Sequence, residues 1–440
     1  MHVGSRPVRL GQGAFEKGRH IHFSSERSAV QARPVRLRVI DHWHTMKSMA
    51  DRIYMDNSAT SFPKPPAVTE AMVQFAAECG ASAGRGAYAE ARQCEAMIAK
   101  CRQRIAKLIN AEGPERIIFA MNCSEALAIV IRGLLNTSPA GSHAVATVME
   151  HNSVLRPLNA LAWQTGLRPE FIACESNTGL VDPGDIRRAI RPETKLIVCV
   201  HVSNVTGTIQ PVGEVARIAR ECEVPCLIDA AQSIGHVPLD VQALGADFVA
   251  FSGHKGLLGP LGTGVLYIRP GAEGKLKTMK EGGTGTISEQ PAQPDTMPDK
   301  FEIGSHNAIG LTGLSEGAAW VLGREVETLR RHDEQLCELF IQLAGEVPGV
   351  RVYGPGDIAH RSGVFSVRAE GVSPAALSAA LEREYGILTR HGVHCAPLAH
   401  RALGTYPEGT TRLSFGPFTT VEDVRRAAEA LAGIARRAPV

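Results

Sequence analysis

From Pro66 to Pro270 the chain alternates short runs of β-branched and other apolar residues with longer stretches whose apolar positions recur every three to four residues. The short runs read as strands buried on both faces and the longer ones as amphipathic helices. Their alternation predicts β-α-β units around a mostly parallel sheet. Expected strands are Arg116–Ala120, His143–Val148, Lys195–His201, Cys226–Asp229, Phe248–Phe251 and Gly264–Ile268. Expected helices include Cys94–Ile109, Ser124–Leu134, Ser153–Thr165, Val212–Cys222 and Val241–Leu244. After a Gly- and Pro-rich stretch, Glu281–Pro298, one long helical pattern covers Leu311–Ala344. A second region then offers strands near Val350–Tyr353 and Gly363–Val367 and a helix at Pro374–Tyr385. The final helix is announced by a capping-box pattern, Thr419-x-x-Glu422, with Val424, Ala427, Leu431 and Ile434 on one face. The fold class expected is therefore α/β.

At 440 residues the chain has room for roughly two or three domains. Its 44% hydrophobic and 21% charged residues are those of an ordinary globular protein, and the longest apolar runs fall far short of the ~20 residues a membrane helix needs. The net charge of +2 hides an asymmetry: the first fifty residues hold 9 Lys/Arg against 3 Asp/Glu, leaving 38 against 42 for the rest. A slightly acidic body argues against nucleic acid as the main partner. Residues 1–52 lack sustained periodicity and read as a basic, disordered extension, as residues upstream of a start at Met46 or Met49, or as an organellar transit segment. Ten cysteines scattered through a long chain suggest reduced thiols and a cytoplasmic protein.

Chemistry first shows at Phe251-Ser-Gly-His-Lys255-Gly-Leu-Leu-Gly-Pro-Leu-Gly-Thr-Gly264, where a lysine sits in a Gly-rich turn between two apolar strands. The order is wrong for a phosphate loop ending in Lys-Ser/Thr. A desolvated lysine can lose its proton and form a Schiff base, or it can be an ordinary salt-bridged residue. Cys226-Leu-Ile-Asp229-Ala-Ala-Gln232 ends a buried strand in a carboxylate, which suits either a turn cap or a protonated ring nitrogen of a bound group. Asn122-Cys123-Ser124-Glu125 opens a helix after a strand, a good N-cap whose free N–H groups also suit a phosphate.

Together, Asn57-Ser-Ala-Thr60, Glu150-His151-Asn, Val202-Ser-Asn204-Val-Thr-Gly207, Asp229-x-x-Gln232 and Ser252-Gly-His-Lys255 resemble the class V aminotransferase-fold enzymes that use pyridoxal 5'-phosphate. The resemblance runs from about Tyr54 to the C-terminus. It implies fold type I: a large domain (53–310) with a mostly parallel central sheet, whose first segment contributes to a smaller α+β domain (311–440). By the same resemblance Lys255 is the Schiff-base lysine, Asp229 the partner of the pyridine nitrogen, Gln232 a neighbour of the phenolic oxygen and His151 a stacking partner of the ring. Cys123, Ser124, Ser252 and His254 complete the cofactor site, and Thr286 is expected to reach it from the other subunit of a homodimer. Asn204, Arg390 and Arg412 are the implied substrate-binding groups, Arg412 being a forked donor for a carboxylate.

Arg390-His-Gly-Val-His-Cys395-Ala-Pro397 resembles the active-site segment of group II (SUF-type) cysteine desulfurases and selenocysteine lyases. Cys395 differs from the other cysteines in its neighbours, since Arg390, His391 and His394 can favour a thiolate. The same residues with His400 form a rival zinc set. Val393 stands where the group II pattern usually carries another histidine. The implied function is conversion of L-cysteine to L-alanine with sulfur held as a persulfide on Cys395, for sulfur mobilisation such as iron–sulfur cluster assembly through an acceptor protein. The alternatives are action on L-selenocysteine, or an aminotransferase or epimerase in which Cys395 is incidental.

Overall fold

The computed structural model describes residues 52–84, 86–287 and 289–437, all within one compact unit, Ser48–Val440. The expected extension, 1–52, lies outside the described residues except for Arg52. In chain order the strands are β1 (Ile53–Tyr54), β2 (Ile117–Ala120), β3 (His143–Thr147), β4 (Arg168–Ile172), β5 (Thr194–Val200), β6 (Cys226–Asp229) and β7 (Phe248–Ser252). They continue with β8 (Gly264–Ile268), β9 (Val350–Tyr353), β10 (Val364–Ala369), β11 (Ile387–Leu388), β12 (Arg390–Gly392) and β13 (Thr410–Ser414).

Seven strands form a central sheet in the order β2-β8-β7-β6-β5-β3-β4. Neighbours β7-β6-β5-β3-β4 pair parallel, while β8 runs antiparallel to both β7 and β2. Two reversals restore direction, so β2 points the same way as β7 and β8 alone opposes the rest. The period-2 alternation of a strand divides each run between two cores. In β6, Cys226 and Ile228 join one buried cluster and Leu227 the other; in β5, Ile197 and Cys199 face one side and Leu196 and Val198 the other. Each such fully buried side chain contributes ~1.5–3 kcal/mol, and helices cover both faces, as the unbroken apolar runs predict.

A four-stranded antiparallel sheet, β12-β13-β10-β9, and the parallel pair β1-β11 make up the second region. A separate buried cluster there includes Phe340, Phe365 and Phe415, whose rings pack 4.6–5.7 Å apart. β1 comes from the start of the described chain, and Asp56 just beyond it bridges to Ser414 at the end of β13.

Three expectations shift. The single helix expected over Leu311–Ala344 is two, Ala308–Arg324 and Val326–Gly345, broken at Glu325 with φ +62°. The first packs on the helices Pro66–Gln74 and Ala89–Leu108 and the second on the last helix, so the apolar phase changes partner at the break. The capping box is built one residue later than predicted: Thr420 Oγ1 accepts from Asp423 N and Asp423 Oδ2 from Thr420 N. Thr419 Oγ1 instead accepts from Gly416 N. Strand β4 was not foreseen because Arg168-Pro-Glu-Phe-Ile carries a proline and two charges, which an edge strand tolerates. Among the described residues no helix is long and apolar enough to cross a membrane, and all ten cysteines are free.

Candidate active site

In a sheet of parallel strands the loops leaving the C-terminal ends all emerge on one side, where ligands bind. The ends of β2, β3, β5, β6 and β7 carry, in turn, Ser124, His151, Asn204, Asp229 and Lys255. These residues line one cavity of about 240 Å³ together with Cys123, Gln232, Ser252 and His254. The second region closes it with Arg390, His394 and Arg412. Residues more than 260 positions apart thus meet because β12 and β13 lie over the ends of the central strands.

Asp229 is 3% exposed and accepts from Ala231 N at 2.9 Å and from the Cys123 thiol at 3.7 Å. It makes no ion pair among the described residues, and burial raises its carboxyl above the ordinary range. Burial also keeps Cys123 a neutral thiol, well above its usual value. Lys255 is depressed by burial, with the guanidiniums of Arg412 and Arg390 adding to the effect. A carboxyl buried with no ion pair among the described residues and a lysine inclined to lose its proton can together receive a group that is cationic at one end and electrophilic at the other.

The helix Cys123–Leu135 begins at the cavity, its N-terminus capped by Asn122 Oδ1 accepting from Glu125 N. A hydroxyl chain joins its first turn to the ring of His151: Ser124 Oγ lies 2.6 Å from Ser153 Oγ, which lies 2.8 Å from His151 Nδ1. His151 Nδ1 also accepts from Ser153 N, which fixes the ring proton on Nε2. Burial holds this imidazole down to about 4, so it is neutral near pH 7. Gln232 is anchored by donating from Nε2 to Ser58 O at 2.9 Å. Four donors converge on the carbonyl of His254, from Ser61 N and Oγ, Thr60 Oγ1 and Lys64 Nζ, at 3.0–3.1 Å. They clamp the peptide next to Lys255, while the buried Nδ1 of His254 has no partner.

Arg390 and Arg412 are directly opposed on β12 and β13. Like charges in that relation repel unless an anion joins them. Arg412, 1% exposed, donates to Asp56 Oδ1 at 2.7 Å and to Asn204 O at 3.1 Å, and its buried Nε has no partner. Asp56 pairs with Arg412 only, and among the described residues Arg390 has no carboxylate ion pair, leaving positive potential in the cavity. Asn204 lines the cavity but already donates from Nδ2 to His394 O at 2.7 Å, so it also holds the neighbouring loop.

Cys395 is half-buried and is not among the residues lining the cavity, but its sulfur lies 3.8 Å from Nη2 of the lining residue Arg390. Of the cationic neighbours expected for it, His394 is neutral, held well below the usual histidine range by burial and Arg412. Both ring nitrogens of His394 are committed to hydrogen bonds. Among the described residues no group of three or more His, Cys, Asp or Glu is placed to hold a metal ion. Thr286 lies away from the cavity of its own chain, in an exposed loop where Oγ1 meets Thr284 Oγ1 and Asp299 Oδ2.

The sequence reading missed Ser153 and Asp56. Ser153 had a signal, a hydroxyl two residues past His151 at a helix N-terminus. Asp56 had none, since its partner Arg412 is 356 residues away.

The class-V aminotransferase family model matches residues 53–427. A probable cysteine desulfurase of Methanothermobacter thermautotrophicus is 35% identical over 391 residues, covering 88% of this chain and 96% of that protein. The apo structure of a cysteine desulfurase from Thermococcus onnurineus superposes with a TM-score of 0.82 at 33% identity, covering 88% of this chain and 95% of that one. An S-sulfonic acid form of an Escherichia coli cysteine desulfurase superposes with a TM-score of 0.79 at 29% identity, covering 89% and 96%. With the family model spanning most of the chain and relatives above 30% identity matched over nearly their whole length, the chain belongs to the class-V aminotransferase family, among its cysteine desulfurases.

Proposed function

We propose that this protein converts L-cysteine to L-alanine with pyridoxal 5'-phosphate bound in the cavity, leaving the sulfur as a persulfide on Cys395. The observation that carries the reading is the meeting of Lys255, Asp229 and the Arg390–Arg412 pair in one cavity beside the Cys395 thiol.

The residues present fit the cofactor. The uncompensated carboxyl of Asp229 suits a protonated pyridine nitrogen, the capped helix N-terminus with Ser124 suits a phosphate, and Ser252 and the unpartnered Nδ1 of His254 offer further polar contacts to it. Lys255 would be joined to the group through Nζ, Gln232 would face its phenolic oxygen, and Cys123 and His151 would border the ring. When bound, pyridoxal phosphate supplies an electron sink for charge developing at the substrate Cα.

The chain's own groups do the rest. Arg412, with Arg390 and Asn204, holds the substrate carboxylate by charge-assisted hydrogen bonds. Lys255, whose lowered pKa favours the neutral amine, takes the Cα proton. His151, fixed with its proton on Nε2, presents a neutral donor rather than a cation. The Cys395 thiolate attacks the substrate sulfur: an S–S bond forms, the C–S bond breaks, and its electron pair stays with the carbon skeleton. Two protons restore alanine, so one cysteine and one enzyme thiol give one alanine and one enzyme persulfide.

We further infer a homodimer in which Thr286 serves the partner's cofactor, a functional division into a large cofactor domain (53–310) and a smaller one (311–440), and a cytoplasmic sulfur donor for an acceptor protein. Selenocysteine is the second substrate that the same geometry accommodates, because its bond to carbon is weaker still.

The test is the intact mass of the reduced holoenzyme before and after L-cysteine, with alanine measured in the same tube. One added sulfur mapped to Cys395, with alanine, is expected. In Cys395→Ser the cofactor stays bound and the sulfur is not gained; undiminished sulfur transfer in that variant would remove Cys395 from the mechanism.

A further inference from the structure

His394 (φ +47°) and Cys395 (φ +58°) are consecutive non-glycine residues in the left-handed region, where an L side chain crowds the backbone. Such a conformation persists only where the surroundings impose it. Two restraints act on the backbone: Asn204 Nδ2 donates to His394 O and Asn152 N donates to Cys395 O, each at 2.7 Å.

A third acts through the His394 side chain, which heads a row of buried hydrogen bonds. Its Nε2 lies 3.0 Å from Arg390 O, and its Nδ1 lies 3.2 Å from His400 Nε2. His400 Nδ1 lies 2.7 Å from Thr405 Oγ1, closer than the 3.2 Å between that hydroxyl and His400 O. A carbonyl can only accept, so the His394 proton is on Nε2 and Nδ1 accepts. His400 therefore donates from Nε2, and its Nδ1 accepts from Thr405. A single backbone oxygen sets the direction of the whole row.

Both rings are neutral near pH 7. Burial and Arg412 hold His394 well below the histidine range against the opposing hydrogen bond to Arg390 O, and burial with Arg368 and Arg412 brings His400 down to about 4. The carboxylates on these guanidiniums, Asp56 on Arg412 and Glu408 on Arg368, are engaged in those ion pairs.

We propose that His400, backed by Thr405, is a positioning residue for sulfur transfer: by donating to His394 Nδ1 it fixes the left-handed turn that presents the Cys395 thiol beside Arg390. It touches no reacting atom. This rests on the role given to Cys395 above. Losing the donor frees His394 to rotate and the turn to relax, and a displacement of about 1 Å at a reacting atom is enough for a large loss of rate.

The experiment compares holoenzymes carrying His400→Leu, His400→Gln and Thr405→Val with the wild type. The change in visible spectrum on adding cysteine reports substrate binding, and the mass gain on Cys395 in a single turnover reports sulfur transfer. In His400→Leu the spectral change and the KM for cysteine keep their wild-type values, while sulfur transfer slows at least about tenfold. In His400→Gln, whose side-chain amide can still donate to His394 Nδ1, transfer returns to within a few-fold of wild type. Thr405→Val gives an intermediate loss and reads the same row if His400→Leu does not fold. Wild-type transfer in both His400→Leu and Thr405→Val, or a loss in His400→Gln as deep as in His400→Leu, would overturn the proposal alone. A wild-type enzyme that gains no sulfur on Cys395 would bring it down together with the reading it rests on.

Discussion

Glu150 is fully buried next to His151, and its Oε1 accepts from Thr147 Oγ1 at 2.7 Å and from Val200 N at 2.9 Å, tying β3 to β5. Its Oε2 has no partner, and burial raises the carboxyl from 4.5 to about 8. The folded protein thus keeps a proton that the unfolded chain releases above 4.5. This contribution to stability is complete below that value, declines as pH rises to about 8, and is flat beyond. Glu150→Gln keeps the accepting oxygen and cannot ionise, so the variant should gain stability over wild type as pH rises, by at least about 1 kcal/mol at pH 8. Urea unfolding at about pH 5 and about pH 8 checks it; an equal difference at both would show that Glu150 does not titrate in that window. The sequence displayed Glu150 only as the neighbour of His151. Its protonation depends on burial from all sides, which local text does not encode.

Strands and helices of the central sheet were legible because unbroken apolar runs and 3.6-residue periodicity are local properties, and Cys226–Asp229 and Gly264–Ile268 fall where the pattern put them. The helix break at Glu325 was not, since no proline marks it and the nearby Gly323 lies inside the helix rather than at the break. A φ of +62° with ψ of +127° is a conformation that glycine adopts and an L residue resists. Glu325→Gly should therefore raise the stability of the folded chain by about 1 kcal/mol, the strain relieved exceeding the extra freedom given to the unfolded state. A lowered urea midpoint would mean that the Glu325 side chain contributes more than its backbone costs. The site follows the same division. Lys255 stood out in a Gly-rich turn, Asp229 at the end of a buried strand and Ser124 at a helix N-terminus, all local signals, whereas Asp56 and His400 act through partners that only the fold supplies.

At the scale of the molecule, the cavity draws on nearly the whole described chain, from Asp56 behind Arg412 to Arg412 itself, yet the loop of Thr286 stands outside it. A homodimer in which that loop reaches the partner's site predicts a particle of twice 47.0 kDa in sedimentation. Thr286→Ala should leave that mass unchanged and weaken retention of pyridoxal phosphate about tenfold, the worth of one hydrogen bond to a charged group. Retention equal to wild type during dialysis would take Thr286 out of the cofactor site.

The one antiparallel pair of consecutive strands in the central sheet is β7–β8, and Lys255 lies in the eleven residues between them. Every other pairing there joins strands remote in sequence or needs a crossover. Closing so short a loop loses little chain entropy, so the lysine turn can assemble by zipping on its own. The acid, the guanidiniums and the thiol must wait for long-range pairing. The residue proposed to anchor the cofactor is therefore carried by the most local pairing of the sheet, and the groups proposed to act on substrate join it only through long-range contacts.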